Sequence, residues 1–132
     1  MKIQLSSVIV DDQGKALQFY TGVLGFMTKR DLLVGDWRWL TVVSAEGPGD
    51  IELLLEPNAN PAARTYQSAI HDQGIPATAF SVEHIQHEYE RLKQLGVVFV
   101  TEPVEAGPVT TAVFDDTCGN LIQIYQVVAP GS

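Results

Sequence analysis

A single carboxylate, Glu52, stands inside the apolar run GDIELLLEP at residues 49–57. In such a run an acid serves as a metal ligand, as a proton acceptor, or as a polar group on the solvent side of a strand. Strand alternation sets Ile51, Leu53 and Leu55 on one face and Glu52 on the other. Other residues with chemical potential are few. His84 and His87 are spaced to share one face of a helix, but a metal reading needs a third donor, and a solvated helix start accounts for them as well. His71 falls near the end of a predicted helix, where the dipole favours an imidazolium. Cys118 lies in the turn DTCGN, where Asp115 and Asp116 would raise its pKa and disfavour the thiolate. It reads as a turn residue before Gly119, which is expected at a left-handed position. Ser6 and Ser7 lack a G-x-S-x-G elbow and read as strand-edge or ligand-contact groups. Trp37 and Trp39 alternate with Arg38 and Leu40, so both indoles share a face. Which face that is stays open, and Arg38 is a candidate partner for Glu52 if strand register brings them together.

Regular elements must position these groups. IQLSSVIV, residues 3–10, reads as a strand. Asp12 then caps a helix with Ala16, Phe19, Tyr20, Val23 and Leu24 on one stripe and Gly25 at its end. Strands are predicted at about 26–33, 36–44 and over DIELLLEP, giving βαβββ. A linking helix follows, capped by Asn60, with Pro61 at its first position and Gly74 at its end. The pattern then restarts: strand 77–82, a helix from about 84 to 95 ended by Gly96, and strands over VVFVTEP, VTTAVFDD and LIQIYQVV. Val10 and Val82 are 72 residues apart, whereas Gly25 and Gly96 are 71 apart, so one residue is lost within the helix. Two similar supersecondary units are expected, at about 1–57 and 75–128 on either side of a linker at 58–74, within a single α+β domain.

Composition narrows the partners. At 132 residues, 45% apolar and 18% charged, the chain supports a buried core. A formal net charge of −8, with eight scattered Lys and Arg, repels nucleic acid and anionic membrane. No apolar run approaches a bilayer span and the N-terminus does not read as a signal peptide, so the cytoplasm is the expected location. One cysteine excludes an intrachain disulfide and a CxxC knuckle.

Three stretches, VDDQGKALQFYTGVLGF, GIPATAFSV with YERLKQLGV, and FDDTCGNLIQI, resemble the vicinal oxygen chelate superfamily of glyoxalases, bleomycin-resistance proteins and extradiol dioxygenases. The resemblance covers nearly the whole chain. It implies two βαβββ modules forming a curved mixed sheet around a cup, helices outside, commonly in a homodimer. It implies no single reaction. The metal ligands of that family, carried over by position, fall on Leu5, Glu52, Ala77 and Gln123, so both imidazoles and one acid are missing. Leu and Ala donate nothing, and no metal or other cofactor is expected.

Three functions follow as expectations. The first is a binding protein whose metal-free cup, with Leu5, Ser7, Arg38, Glu52, Ala77 and Gln123 as ligand-binding candidates, holds a small organic molecule. The second is an isomerase, lyase or dioxygenase in which Glu52 is catalytic, as a base or in a non-standard metal site. The third is a dimeric structural module with a vestigial cup. Glu52 is expected to face the cup, with a raised pKa unless Arg38, a hydroxyl or a ligand amine compensates; the alternative is a polar residue satisfied by neighbouring side chains or water.

Overall fold

The computed structural model describes residues 1–128. Strand β1, Leu5–Val10, runs into Asp12, whose Oδ1 accepts the Lys15 backbone N–H at 2.9 Å and starts helix α1, Gln13–Gln18. The helix continues as a π-helical turn over Phe19–Val23, with the Leu24 N–H donating to the Phe19 carbonyl. A π turn holds one residue more than an α turn. The corresponding helix of the second half, α3 (Ile85–Gln94), is regular. The extra residue of the first half is therefore absorbed by the π turn, which accounts for the change of repeat offset. Both segments end on a glycine in the left-handed region, Gly25 at φ 88° and Gly96 at φ 90°, where a side chain would be strained.

Strands β2 (Met27–Val34), β3 (Trp37–Val43) and β4 (Glu52–Pro57) complete the first sheet in the order β1-β4-β3-β2. β1 runs parallel to β4, and the remaining pairs are antiparallel. A register shift between Thr28 and Arg30 bulges β2. Helix α1 covers one face of this sheet, where Val8, Val10, Leu40, Val42 and Leu55 are buried with Ala16, Phe19 and Tyr20. Each large side chain buried there stabilises the fold by about 1.5–3 kcal/mol. Gln13 fixes the helix to the sheet, its Nε2 donating to the Arg38 and Leu55 carbonyls at 2.7 and 2.8 Å.

Helix α2, Pro61–Asp72, opens as expected, with Asn60 Oδ1 accepting the Ala62 N–H. The chain divides into two compact units inside this helix, the first Met1–Gln67 and the second beginning at Ser68. Gln67 anchors the helix to the first unit. It is buried, donates to the Ile9 carbonyl at 2.9 Å and accepts from Asn58 Nδ2 at 3.0 Å.

The second sheet contains β5 (Thr78–Ser81), β6 (Phe99–Ala106), β7 (Val109–Asp115) and β8 (Leu121–Val127) in the order β5-β8-β7-β6. This repeats the first order, again with the outer strand β5 parallel to its neighbour β8. α3 covers one face, burying Ile85, Tyr89 and Leu92 near Phe114, Ile122 and Ile124. Tyr89, Phe99 and Phe114 form an edge-to-face series with centroids 4.7 and 5.5 Å apart. The expected α+β fold of two βαβββ modules is what forms. No helix among the described residues is long and apolar enough to cross a membrane.

Candidate functional site

Each sheet has one face under its helix and one without it, and strand register assigns the residues. In the first sheet Leu5 pairs directly with Glu52, Ser7 with Leu54 and Ile9 with Glu56. Partners in register share a face. Because Val8, Val10 and Leu55 lie under α1, the other set lies on the open face. Thr41 pairs with Leu54, and Arg30, Leu32 and Val34 pair with Thr41, Trp39 and Trp37. The open face thus carries Leu5, Ser7, Ile9, Arg30, Leu32, Val34, Trp37, Trp39, Thr41, Glu52, Leu54 and Glu56. Thr41 and Leu54 are buried and form its floor, whereas Leu5 and Leu32 are exposed. The two indoles lie together with centroids 6.1 Å apart.

Glu52 is held at one atom. Its Oε1 accepts the Thr41 hydroxyl at 2.7 Å and the Arg30 Nε–H at 3.0 Å. Its side chain keeps only 16% of its surface accessible, against 51% for Arg30. The Thr41 hydroxyl, opposed by desolvation and supported by Arg30 and Lys29, holds the Glu52 carboxyl below its ordinary range. The pKa shift thus runs opposite to that of an unpaired buried acid, because a hydroxyl compensates.

Arg38 is on the other face. Its Nε and Nη2 donate to Asp31 at 2.9 and 2.6 Å, so Asp31 is held below the usual carboxylate range and the guanidinium is held more firmly charged. The arginine beside Glu52 is Arg30. The bulge concealed it, since alternation cannot be counted across a register shift of unknown position. Thr41 was open to inference from the sequence, as it alternates in step with Trp37 and Trp39.

In the second sheet Gln123 pairs with Ala79 and Val113. Phe114, Ile122 and Ile124 are under α3, so Gln123 is on the open face. The Ala77 N–H donates to the Leu121 carbonyl, placing it one pleat from Ala79 on the side of Gln123. Thus Leu5 and Glu52 face each other directly, whereas Ala77 is offset from Gln123 by two residues.

The remaining candidates have structural partners. Cys118 is buried in a turn built by Asp116, whose Oδ1 accepts the Cys118 and Asn120 N–H groups while Oδ2 accepts Asn120 Nδ2. Gly119 takes the expected positive φ, and Thr117 takes one as well, at 62°. His71 Nε2 lies 3.0 Å from Asp115 Oδ2. The rings of His84 and His87 are 5.8 Å apart at the start of α3. Among the described residues no three His, Cys, Asp or Glu side chains group as a metal site. The residues at the family's ligand positions do not fit a transition ion, because Leu5 and Ala77 lack donor atoms and Glu52 is already bonded to Thr41 and Arg30.

Comparison with known proteins agrees with this architecture. The family model for the Glyoxalase/Bleomycin resistance protein/Dioxygenase superfamily matches residues 2–124. The chain is 57% identical over 126 residues to the uncharacterized protein YurT of Bacillus subtilis (strain 168), covering 96% of this chain and 99% of that one. Among solved structures, UcmS2 superposes with a TM-score of 0.81 at 34% identity, over 95% of this chain and 97% of that one. TnmS3, an antibiotic binding protein from Streptomyces sp. CB03234, does so with a TM-score of 0.75 at 26% identity, over 96% of each. With its repeated βαβββ modules and a family match over nearly its whole length, the chain belongs to the glyoxalase/bleomycin resistance protein/dioxygenase superfamily.

Proposed function

We propose that this protein binds a small organic molecule on the open face of its first sheet, without a metal. One observation carries the reading: Glu52, pinned by Thr41 and Arg30, is an oriented polar group on a face that also carries the apolar side chains Leu5, Leu32, Leu54, Trp37 and Trp39. Apolar walls with a few fixed polar groups are the ordinary composition of a ligand site. The description of TnmS3 as an antibiotic binding protein supports the same class of function. Ser7 adds a hydroxyl to this face, and Ala77 and Gln123 are proposed as the corresponding positions of the second sheet.

The enzymatic alternative gives Glu52 the role of general base. A carboxylate held below its usual range is a weaker base, so the direction of its shift favours binding over proton abstraction. The vestigial alternative predicts no ligand at all. We also propose a cytoplasmic location and a homodimer; the support for the homodimer is the apolar exposure of edge strand β2, with Leu33 83% accessible beside exposed Met27 and Val34.

Screening small aromatic and alicyclic compounds by intrinsic tryptophan fluorescence tests the binding reading. Compounds that bind the wild type and are lost on Trp39→Ala support it. Binding that survives Trp39→Ala, or a screen with no binder, counts against it.

A further inference from the structure

The bonds to Glu52 leave a specific pattern unused. Both the Thr41 hydroxyl and Arg30 Nε donate to Oε1. Among the described residues, Oε2 accepts no hydrogen bond and the Arg30 Nη groups donate none. The Arg30 side chain is half-exposed, and Glu52 Oε1 lies 3.0 Å from Arg30 Nε; no buried side-chain polar atom among the described residues lacks a partner, so the unbonded Oε2 is not buried. An acceptor without a partner and donors without one thus belong to the same ion pair. The next residues along this face are aromatic and apolar: Trp39 is two residues from Thr41 on β3, and Leu32 is its partner on β2.

We propose, building on the binding reading above, that the face selects a planar aromatic molecule with an amide-type edge, a carbonyl beside an N–H. The carbonyl accepts from an Arg30 Nη group and the N–H donates to Glu52 Oε2, while the ring system lies over Trp39 and Leu32. Charge supports a neutral edge. A carboxylate there gains Arg30 but meets Glu52, and an amidinium gains Glu52 but meets Arg30; either like-charge contact costs binding. An amide satisfies both groups and leaves neither unpaired.

Substitution at Glu52 makes the pattern testable. Because Oε1 receives two donors, the amide introduced by Glu52→Gln must turn its carbonyl to that position and its NH2 to the position of Oε2. The acceptor becomes a donor, and the preferred ligand changes from an amide to a carboxylate.

The experiment is calorimetric titration, at neutral pH, of 2-naphthamide, 2-naphthoate and 2-naphthamidinium into the wild type, Glu52→Gln, Arg30→Leu and Trp39→Ala. The wild type is expected to bind the amide about tenfold more tightly than either ion. Glu52→Gln is expected to bind the naphthoate most tightly, Arg30→Leu the amidinium, and Trp39→Ala all three weakly. The Arg30→Leu arm decides the matter should Glu52→Gln not fold, since Arg30 is largely outside the core. Equal binding of the three probes, or the same order in every variant, overturns the amide-edge proposal; if Trp39→Ala still abolishes binding, the binding reading survives. If no probe binds the wild type, or Trp39→Ala leaves binding intact, both fall.

Discussion

The Thr41 hydroxyl donates to Glu52 Oε1 at 2.7 Å, from a fully buried residue on β3 to a carboxylate on the neighbouring strand β4. This bond keeps an acid ionised on a largely apolar face. With the Arg30 Nε–H also on Oε1, Oε2 is the carboxylate oxygen without a hydrogen bond among the described residues.

Thr41→Val should raise the Glu52 pKa, since the largest influence lowering it is removed while desolvation remains. The sign for stability follows from linkage. A carboxyl whose folded-state pKa lies below its unfolded value stabilises the fold above the unfolded pKa and loses that contribution as pH falls through the folded value. The wild type should therefore lose stability on acidification below the ordinary carboxylate range, and Thr41→Val should lose less over that window. An NMR titration of the Glu52 carboxyl, with urea unfolding on both proteins at several pH values, checks both statements.

Arg38→Ala should leave binding on the open face unchanged, because its guanidinium pairs with Asp31 on the helix-bearing face. It should return the Asp31 pKa toward its ordinary value. Arg30→Ala should instead weaken a neutral ligand that accepts a hydrogen bond from the Arg30 guanidinium. Fluorescence titration of the two variants with one compound separates the arginines.

Asp116→Ala should cost about 2–4 kcal/mol, because it removes the acceptor of two backbone N–H groups and one side-chain N–H in a buried turn. Chemical unfolding measures the loss. Asp50→Ala, in an exposed loop, should change stability by less than about 0.5 kcal/mol.

Purified protein should carry far less than one equivalent of divalent transition metal per chain, as Leu5 and Ala77 stand where the family's imidazoles would be. Elemental analysis after expression in metal-supplemented medium decides this. One equivalent of Zn, Ni, Fe or Mn, lost on Glu52→Gln, is the contrary result.

Much of the fold was legible because its signals are local. Asp12, Asn60 and the glycines that end helices are short-range instructions, and each acts where the sequence places it. The one-residue slip in the repeat was visible as arithmetic, but its form, a π-helical turn beneath Phe19 and Tyr20, depends on packing that no local pattern states. The site was harder to read. Glu52 was identifiable as an acid among apolar residues, yet its partners depend on pairing between β2, β3 and β4, and the bulge before Arg30 hides the phase of β2. Arg38, between the two indoles in sequence, was the candidate partner for Glu52, but the contact is made by Arg30 while Arg38 pairs with Asp31.

The claim that the first sheet's open face binds a small molecule is tested most directly by following the indole N–H resonances of Trp37 and Trp39 and the carboxyl resonance of Glu52 during titration with a compound from the fluorescence screen. The account predicts that all three shift together and saturate at one stoichiometry, and that Trp39→Ala abolishes the response at Glu52. A saturating ligand that leaves these three resonances unmoved would contradict it.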